Sequence, residues 1–213
     1  ILSDKLVMQV GGSRLSKVDV IKMVSEVPCQ IQDGWTFTEP RLSKIDGDTF
    51  ALTYKATKDG SCTADGKTEK LPSPVRASTV WARVGESWQT VFHGEIPIFD
   101  PASAPSPRSD EKKIPMPPPM PNAPPAQVSA KRVSDPVSDG LMAAERALWG
   151  AWMKHDAEAI DRLVADEIAF VNLFGNYFPD KTASVSDWTS DACEVSSFML
   201  ANGVGTSISP TVG

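Results

Sequence analysis

Histidine is nearly absent from this chain, with only His93 and His155 in 213 residues. Cysteine is scarce as well: Cys29, Cys62 and Cys193, none in a Cys-x-x-Cys pair. So small a supply of soft and imidazole ligands excludes the usual structural zinc sets, and no cofactor is implied. The thiols leave two arrangements open, a Cys29–Cys62 disulfide or free buried thiols. No apolar run approaches the roughly 18–20 residues a membrane helix needs, so no span is expected. A basic excess is missing too, since 21 Lys and Arg face 27 Asp and Glu for a net charge of −6. Nucleic acid is therefore not an expected partner, because its backbone calls for a basic face. No secretory leader is legible, and the sequence names no compartment.

What is abundant is proline, and its placement divides the chain. Eleven of the 18 prolines fall within residues 101–136. Proline fixes φ and removes a backbone donor, so this stretch reads as an extended linker. The run Pro115 to Pro125 contains PxxP spacings of the kind SH3-type domains bind. Three parts follow: 1–100, bearing a sheet; the linker, 101–136; and 137–213, bearing helices. Charge separates them further. The last part carries four Lys and Arg against eleven Asp and Glu, an acidic, solvated face. Apolar residues at 41% and charged residues at 23% are ordinary for a globular chain, and this length allows one or two domains at about 100–200 residues each.

Residues 1–100 read as α+β. Leu6 to Val10 is a strand ended by Gly11-Gly12, and Ser16 is placed to cap a short helix with Val20, Ile21 and Val24 on one face. Trp35 to Ile45, interrupted by Pro40, and Phe50 to Ala56 flank an Asp46-Gly47-Asp48 turn, a hairpin signal. Lys58 to Lys70 is polar and reads as a long loop. Val75 to Val84 and Ser87 to Ile96 form a second hairpin around Gly85-Glu86. In 137–168 the period changes. Leu141, Ala144, Leu148 and Trp152, widened by Met142 and Trp149, make an amphipathic helix. Asp156 caps a second helix with Ile160, Leu163 and Val164 on one face, and Ile168 to Leu173 is a strand ended at Phe174-Gly175-Asn176.

Segments 6–29 and 170–193 are alike at a constant offset, with Gly11 on Gly175, Lys17 on Lys181, Ile21 on Val185 and Cys29 on Cys193. Both run strand, glycine, Lys-led helix, cysteine. Each copy is incomplete: the first lacks a leading helix pair and the second lacks its main sheet. The chain reads either as part of a longer tandem protein or as a permuted unit. In the second case helices 137–168 fold onto 35–98, within one chain or by exchange between chains.

These residues resemble the SnoaL-like and ketosteroid-isomerase-like branch of the nuclear-transport-factor-2-like superfamily, whose fold is a cystatin-like α+β roll. The leading-helix pattern is Lys154-His155-Asp156-Ala157-Glu158-Ala159-Ile160, then Leu163, Asp166, Phe170-Val171-Asn172 and Gly175; the trailing pattern is Arg76 to Arg83, Gly85, Trp88 and His93. The resemblance implies a cone-shaped domain in which a curved antiparallel sheet packs on helices. It also implies an apolar pocket and dimerisation through the sheet. Catalysts of that type use an aspartate base with tyrosine and acid donors in an apolar site. Tyr54 and Asp48 are present, but the full set is not.

The site candidates come from the second hairpin. With regular pairing across Gly85-Glu86, Ser78 faces His93 and Arg76 faces Glu95, which puts Arg76, Ser78, Gln89, His93 and Glu95 on one face and Trp81, Trp88 and Phe92 on the other. His93 is the acid–base candidate, with Glu95 two positions away to bias its protonation. Tyr54, Arg76, Trp81 and Trp88 are the candidate pocket lining. The functions expected are binding of a small apolar molecule or oligomerisation as a homodimer or domain-swapped assembly. Isomerase, cyclase or dehydratase chemistry at His93, and recruitment of partners by the linker, are the alternatives.

Overall fold

The computed structural model describes residues 1–10, 12–32, 34–64, 66–99, 136–190, 195, 197–200, 203, 205 and 207–208. Gly11, Cys193 and all but the last residue of the proline-rich linker lie outside the described residues, as does most of the C-terminal tail.

A glycine turn opens the fold. Strand β1 (Leu2–Val10) turns at Gly12, whose φ of 81° suits a residue without Cβ, into β2 (Ser13–Ser16). Helix α1 (Lys17–Glu26) starts where the capping residue predicts. The Ser16 hydroxyl accepts from the Asp19 backbone N–H, and the Asp19 carboxylate accepts from the Ser16 N–H in return. Of its three expected apolar positions only Val20 is buried; Ile21 and Val24 are exposed, because one stripe of α1 meets β1 and β2 at the sheet edge.

Strands β3 (Cys29–Ile31), β4 (Thr36–Lys44), β5 (Thr49–Thr57), β6 (Gly60–Ala64), β7 (Lys67–Lys70), β8 (Val75–Val84) and β9 (Ser87–Pro97) complete this half. They form a six-stranded sheet in the order β2-β1-β9-β8-β5-β4 and a three-stranded sheet in the order β3-β6-β7. All neighbours in the larger sheet are antiparallel except β1 and β9, which run parallel. Register shifts in β1, β4 and β9 bend it. Pro40 does not end its strand. It falls in the shifted part of β4, an edge strand, beside Glu39 at a φ of 55°. Within the stretch expected as a loop, 58–70, the described residues form the β6–β7 pair, with Gly66 at a φ of 74°, joined to β3 by a Cys29–Cys62 disulfide between directly paired residues.

The helical half begins on a proline. Helix α2 (Pro136–Trp152) has Pro136 as its first residue, where a missing N–H costs nothing. Helix α3 (Ala157–Leu163) is capped by Asp156, whose carboxylate accepts from the Ala159 N–H, and it buries Ile160 completely. His155, between α2 and α3, is half-buried, with Nδ1 3.2 Å from the Thr189 carbonyl. The expected strand of six residues is a short hairpin, β10 (Phe170–Val171) with β11 (Tyr177–Phe178), followed by α4 (Lys181–Trp188) capped by Asp180.

The fold class is α+β. Helix α1 packs on β1 and β2 of the large sheet, and the β10–β11 turn meets the end of β9 and Arg76 on β8. There the Phe99 N–H donates to the Phe174 carbonyl, and Arg76 Nε reaches the Gly175 carbonyl at 3.4 Å. Beyond α4, the Gly205 N–H donates to Ser138 Oγ on α2, and Lys5 Nζ on β1 donates to the Ser207 carbonyl. Among the described residues no helix is long and apolar enough to cross a membrane.

Candidate functional site

The face that His93 occupies is set by one extra residue. From the Gly85-Glu86 turn the β8–β9 ladder is regular through Trp81 with Thr90; then Val80 pairs with Phe92, leaving Val91 as a bulge. One inserted residue moves all later side chains to the opposite face. His93 therefore pairs with Thr79 rather than Ser78, and Glu95 with Ala77 rather than Arg76. The rungs Tyr54–Ala77–Glu95, Leu52–Thr79–His93 and Phe50–Trp81–Thr90 stack along one face. The bulge thus joins His93 and Glu95 to Tyr54, Trp81 and Trp88, and separates them from Arg76.

These groups form a half-buried polar cluster. Thr79 Oγ1 lies 2.8 Å from His93 Nδ1, and His93 Nε2 lies 3.7 Å from Glu95 Oε1. Lys58, at the start of the stretch expected as a polar loop, brings Nζ to 2.7 Å from Glu95 Oε2, with its side chain only 8% exposed. The Glu95 carboxyl is held below the ordinary carboxylate range, first by His93 and then by Lys58, against the opposing cost of burial. At 3.7 Å the imidazole is beyond hydrogen-bond length, so the Lys58 contact is the one on which the carboxylate's charge rests. Burial, with Glu95 close by, pushes the Tyr54 phenol up despite its bond to Thr79.

The expected juxtaposition of Arg76 with Glu95 is replaced. Arg76 Nη2 lies 2.7 Å from Glu39 Oε2 on the edge strand, and the guanidinium lines a polar cleft of about 400 Å³ with Arg41 and Tyr177. Trp88 packs edge-on against Phe50 at 5.5 Å, under the Arg83 guanidinium, and Tyr54 packs edge-on against Phe37 at 5.3 Å. Trp35, Phe37, Leu42 and Trp88 are exposed, so this aromatic side of the sheet is an open face and not an enclosed pocket.

An apolar cleft lies in the helical half, with a volume of about 410 Å³. Leu148, Trp149 and Trp152 on α2, Phe170 on β10, Phe174 in the turn and Trp188 on α4 contribute its apolar walls. Trp149 and Trp152 meet edge to face at 5.2 Å, and Phe170 meets Trp188 at 4.6 Å. Asn172 shapes the turn: its Oδ1 accepts from the Phe174 and Asn176 N–H groups, and its Nδ2 faces Asp187 Oδ1 at 3.4 Å. None of Tyr54, Arg76, Trp81, Trp88, His93 or Glu95 lines it. The available signal was the concentration of three of the six tryptophans in 149–188, but helical spacing alone reads such residues as core. Among the described residues no group of His, Cys, Asp and Glu is gathered to hold a metal ion.

No protein-family profile and no curated protein matches the chain. Solved structures do resemble part of it. An NTF2-like protein from Cytophaga hutchinsonii is 16% identical over 46% of this chain and 77% of its own, with a TM-score of 0.38. An NTF2-like protein of unknown function in nutrient uptake from Rhodospirillum rubrum is 14% identical over 46% of this chain and 79% of its own, also at 0.38. An uncharacterised protein with a cystatin-like fold from Caulobacter vibrioides is 11% identical over 49% of this chain and 75% of its own, again at 0.38.

Proposed function

We propose that this chain binds a small, flat apolar molecule in the cleft between α2, the β10–β11 hairpin and α4. The observation that carries the reading is the cleft itself. Its volume of about 410 Å³ is that of a small-ligand site, and two edge-to-face aromatic pairs wall it. Titration with the neutral fluorophore N-phenyl-1-naphthylamine tests it. Binding should enhance the probe's emission, and Trp188→Ala or Trp149→Ala should weaken it at least several-fold, whereas Trp35→Ala on the open sheet face should not. Absence of binding, or equal loss with Trp35→Ala, would refute the reading.

The scaffold we propose is a divergent SnoaL-like, ketosteroid-isomerase-like arrangement of two incomplete copies, with 1–100 bearing the sheet and 137–213 the helices. Support comes from the unit strand, glycine turn, strand, capped helix, which occurs as β1-β2-α1 and as β10-β11-α4. In each the helix begins at a lysine, Lys17 or Lys181, behind an oxygen-bearing cap, Ser16 or Asp180. The exposed Trp35, Phe37, Leu42 and Trp88 support self-association through the sheet. Sedimentation velocity tests this, and a Phe37→Glu variant with unchanged mass would refute it. Acid–base catalysis at His93 has less support, because both ring nitrogens face partners on the sheet and His93 lines neither cleft described above.

A further inference from the structure

We infer that the molecule taken by the helical cleft is an organic cation, an ammonium group carried on an apolar body. This inference rests on reading the cleft as a ligand site and adds the charge of its ligand. Two residues in the cleft lining are charged at neutral pH, Glu145 and Asp187, and both are acids. Among the described residues neither has a cationic side chain as partner. Three other acids of the same half do have one: Lys181 lies 3.5 Å from Asp161 and 3.0 Å from Asp166, and Arg162 binds Glu158.

Asp187 is half-buried, and among the described residues the side-chain donor facing its carboxylate is the Asn172 amide at 3.4 Å, a long contact with a neutral group. A carboxylate beside apolar walls is costly without compensation. A cation in the cleft supplies that compensation and gains from the aromatic faces as well, since indole and phenyl rings attract positive charge by their quadrupoles. Trp149, Trp152, Phe170 and Trp188 present such rings around the space. The wider field has the same sign, with eleven acids against four Lys and Arg in 137–213. An anionic ligand meets repulsion at every one of these points. A neutral one leaves the carboxylates as they were.

The test compares isosteres. Quenching of intrinsic tryptophan emission is titrated with benzyltrimethylammonium and with neopentylbenzene, which has the same shape and no charge. The cation should bind about tenfold more tightly, and added salt should weaken it alone. Asp187→Asn should reduce cation affinity several-fold and leave neopentylbenzene unchanged. Glu145→Gln, on the exposed side of α2, is the second variant, in case loss of the Asn172 contact disturbs the turn. Equal affinity for the two probes, or equal effects of both variants on each, would overturn the inference while leaving the cleft an apolar site. Failure of both probes would end the underlying reading as well. A dimer that Trp188→Ala dissociates would mean that a second copy fills the cleft, which also overturns it.

Discussion

Lys58 and Glu95 show how one residue's behaviour depends on a neighbour far away in sequence. Lys58 is among the most buried charged side chains described, and Glu95 is its ionic partner at 2.7 Å. The carboxyl titrates below its ordinary value of 4.5 when folded, so the unfolded chain binds the proton more tightly. Stability from this group is therefore complete above about pH 4.5 and is lost as pH falls through the depressed folded value. Glu95→Gln should flatten that acid limb and lower stability at neutral pH, read as guanidinium midpoints between pH 2.5 and 7. Thr49 presents the opposite case. It is 1% exposed, and among the described residues its hydroxyl has no hydrogen-bond partner. Thr49→Val keeps the shape and removes the unpaired group, so thermal unfolding should show a gain of about 1 kcal/mol.

At the scale of elements, local chemistry was legible and partner-dependent geometry was not. The caps at Ser16 and Asp156 and the turns at Gly12 and Gly85-Glu86 follow from residues within a few positions of each other. The β6–β7 hairpin was legible in principle from Asp65-Gly66, but its polar strands hid the alternation that marks a strand. The bulge at Val91 has no such mark, because it is the fit of β9 between β1 and β8 that decides where an extra residue goes. The small sheet depends on a covalent tie, since β3 has three exposed residues and a disulfide to β6 across a separation of 33. Replacing both cysteines, Cys29→Ala with Cys62→Ala, should cost about 3 kcal/mol in denaturant unfolding. The same loss should appear in the native chain on reduction.

For the whole molecule, the described contact at the β10–β11 turn depends on glycine. Gly175 has a φ of 79°, and a Cβ built there would stand 2.9 Å from Ile98 Cα and 3.0 Å from the Pro97 carbonyl. Gly85 has a φ of 62° with open space around it. Gly175→Ala should therefore lower the unfolding free energy well beyond Gly85→Ala, by about 2 kcal/mol against about 1, read in denaturant unfolding. It should also expose the amides of Phe99 and Gly175 to hydrogen exchange, while those of α2 stay protected.

Composition, caps and periodicity by themselves determined that this chain is α+β and that Ser16 and Asp156 stand at helix starts. Those features depend on interactions within a few residues, which a linear sequence displays. Only the tertiary structure decided that His93 and Glu95 lie beside Tyr54 and Lys58, that Arg76 turns to Glu39, and that the aromatic cleft belongs to the helices. Each depends on register or packing between distant segments, where one inserted residue reverses a face.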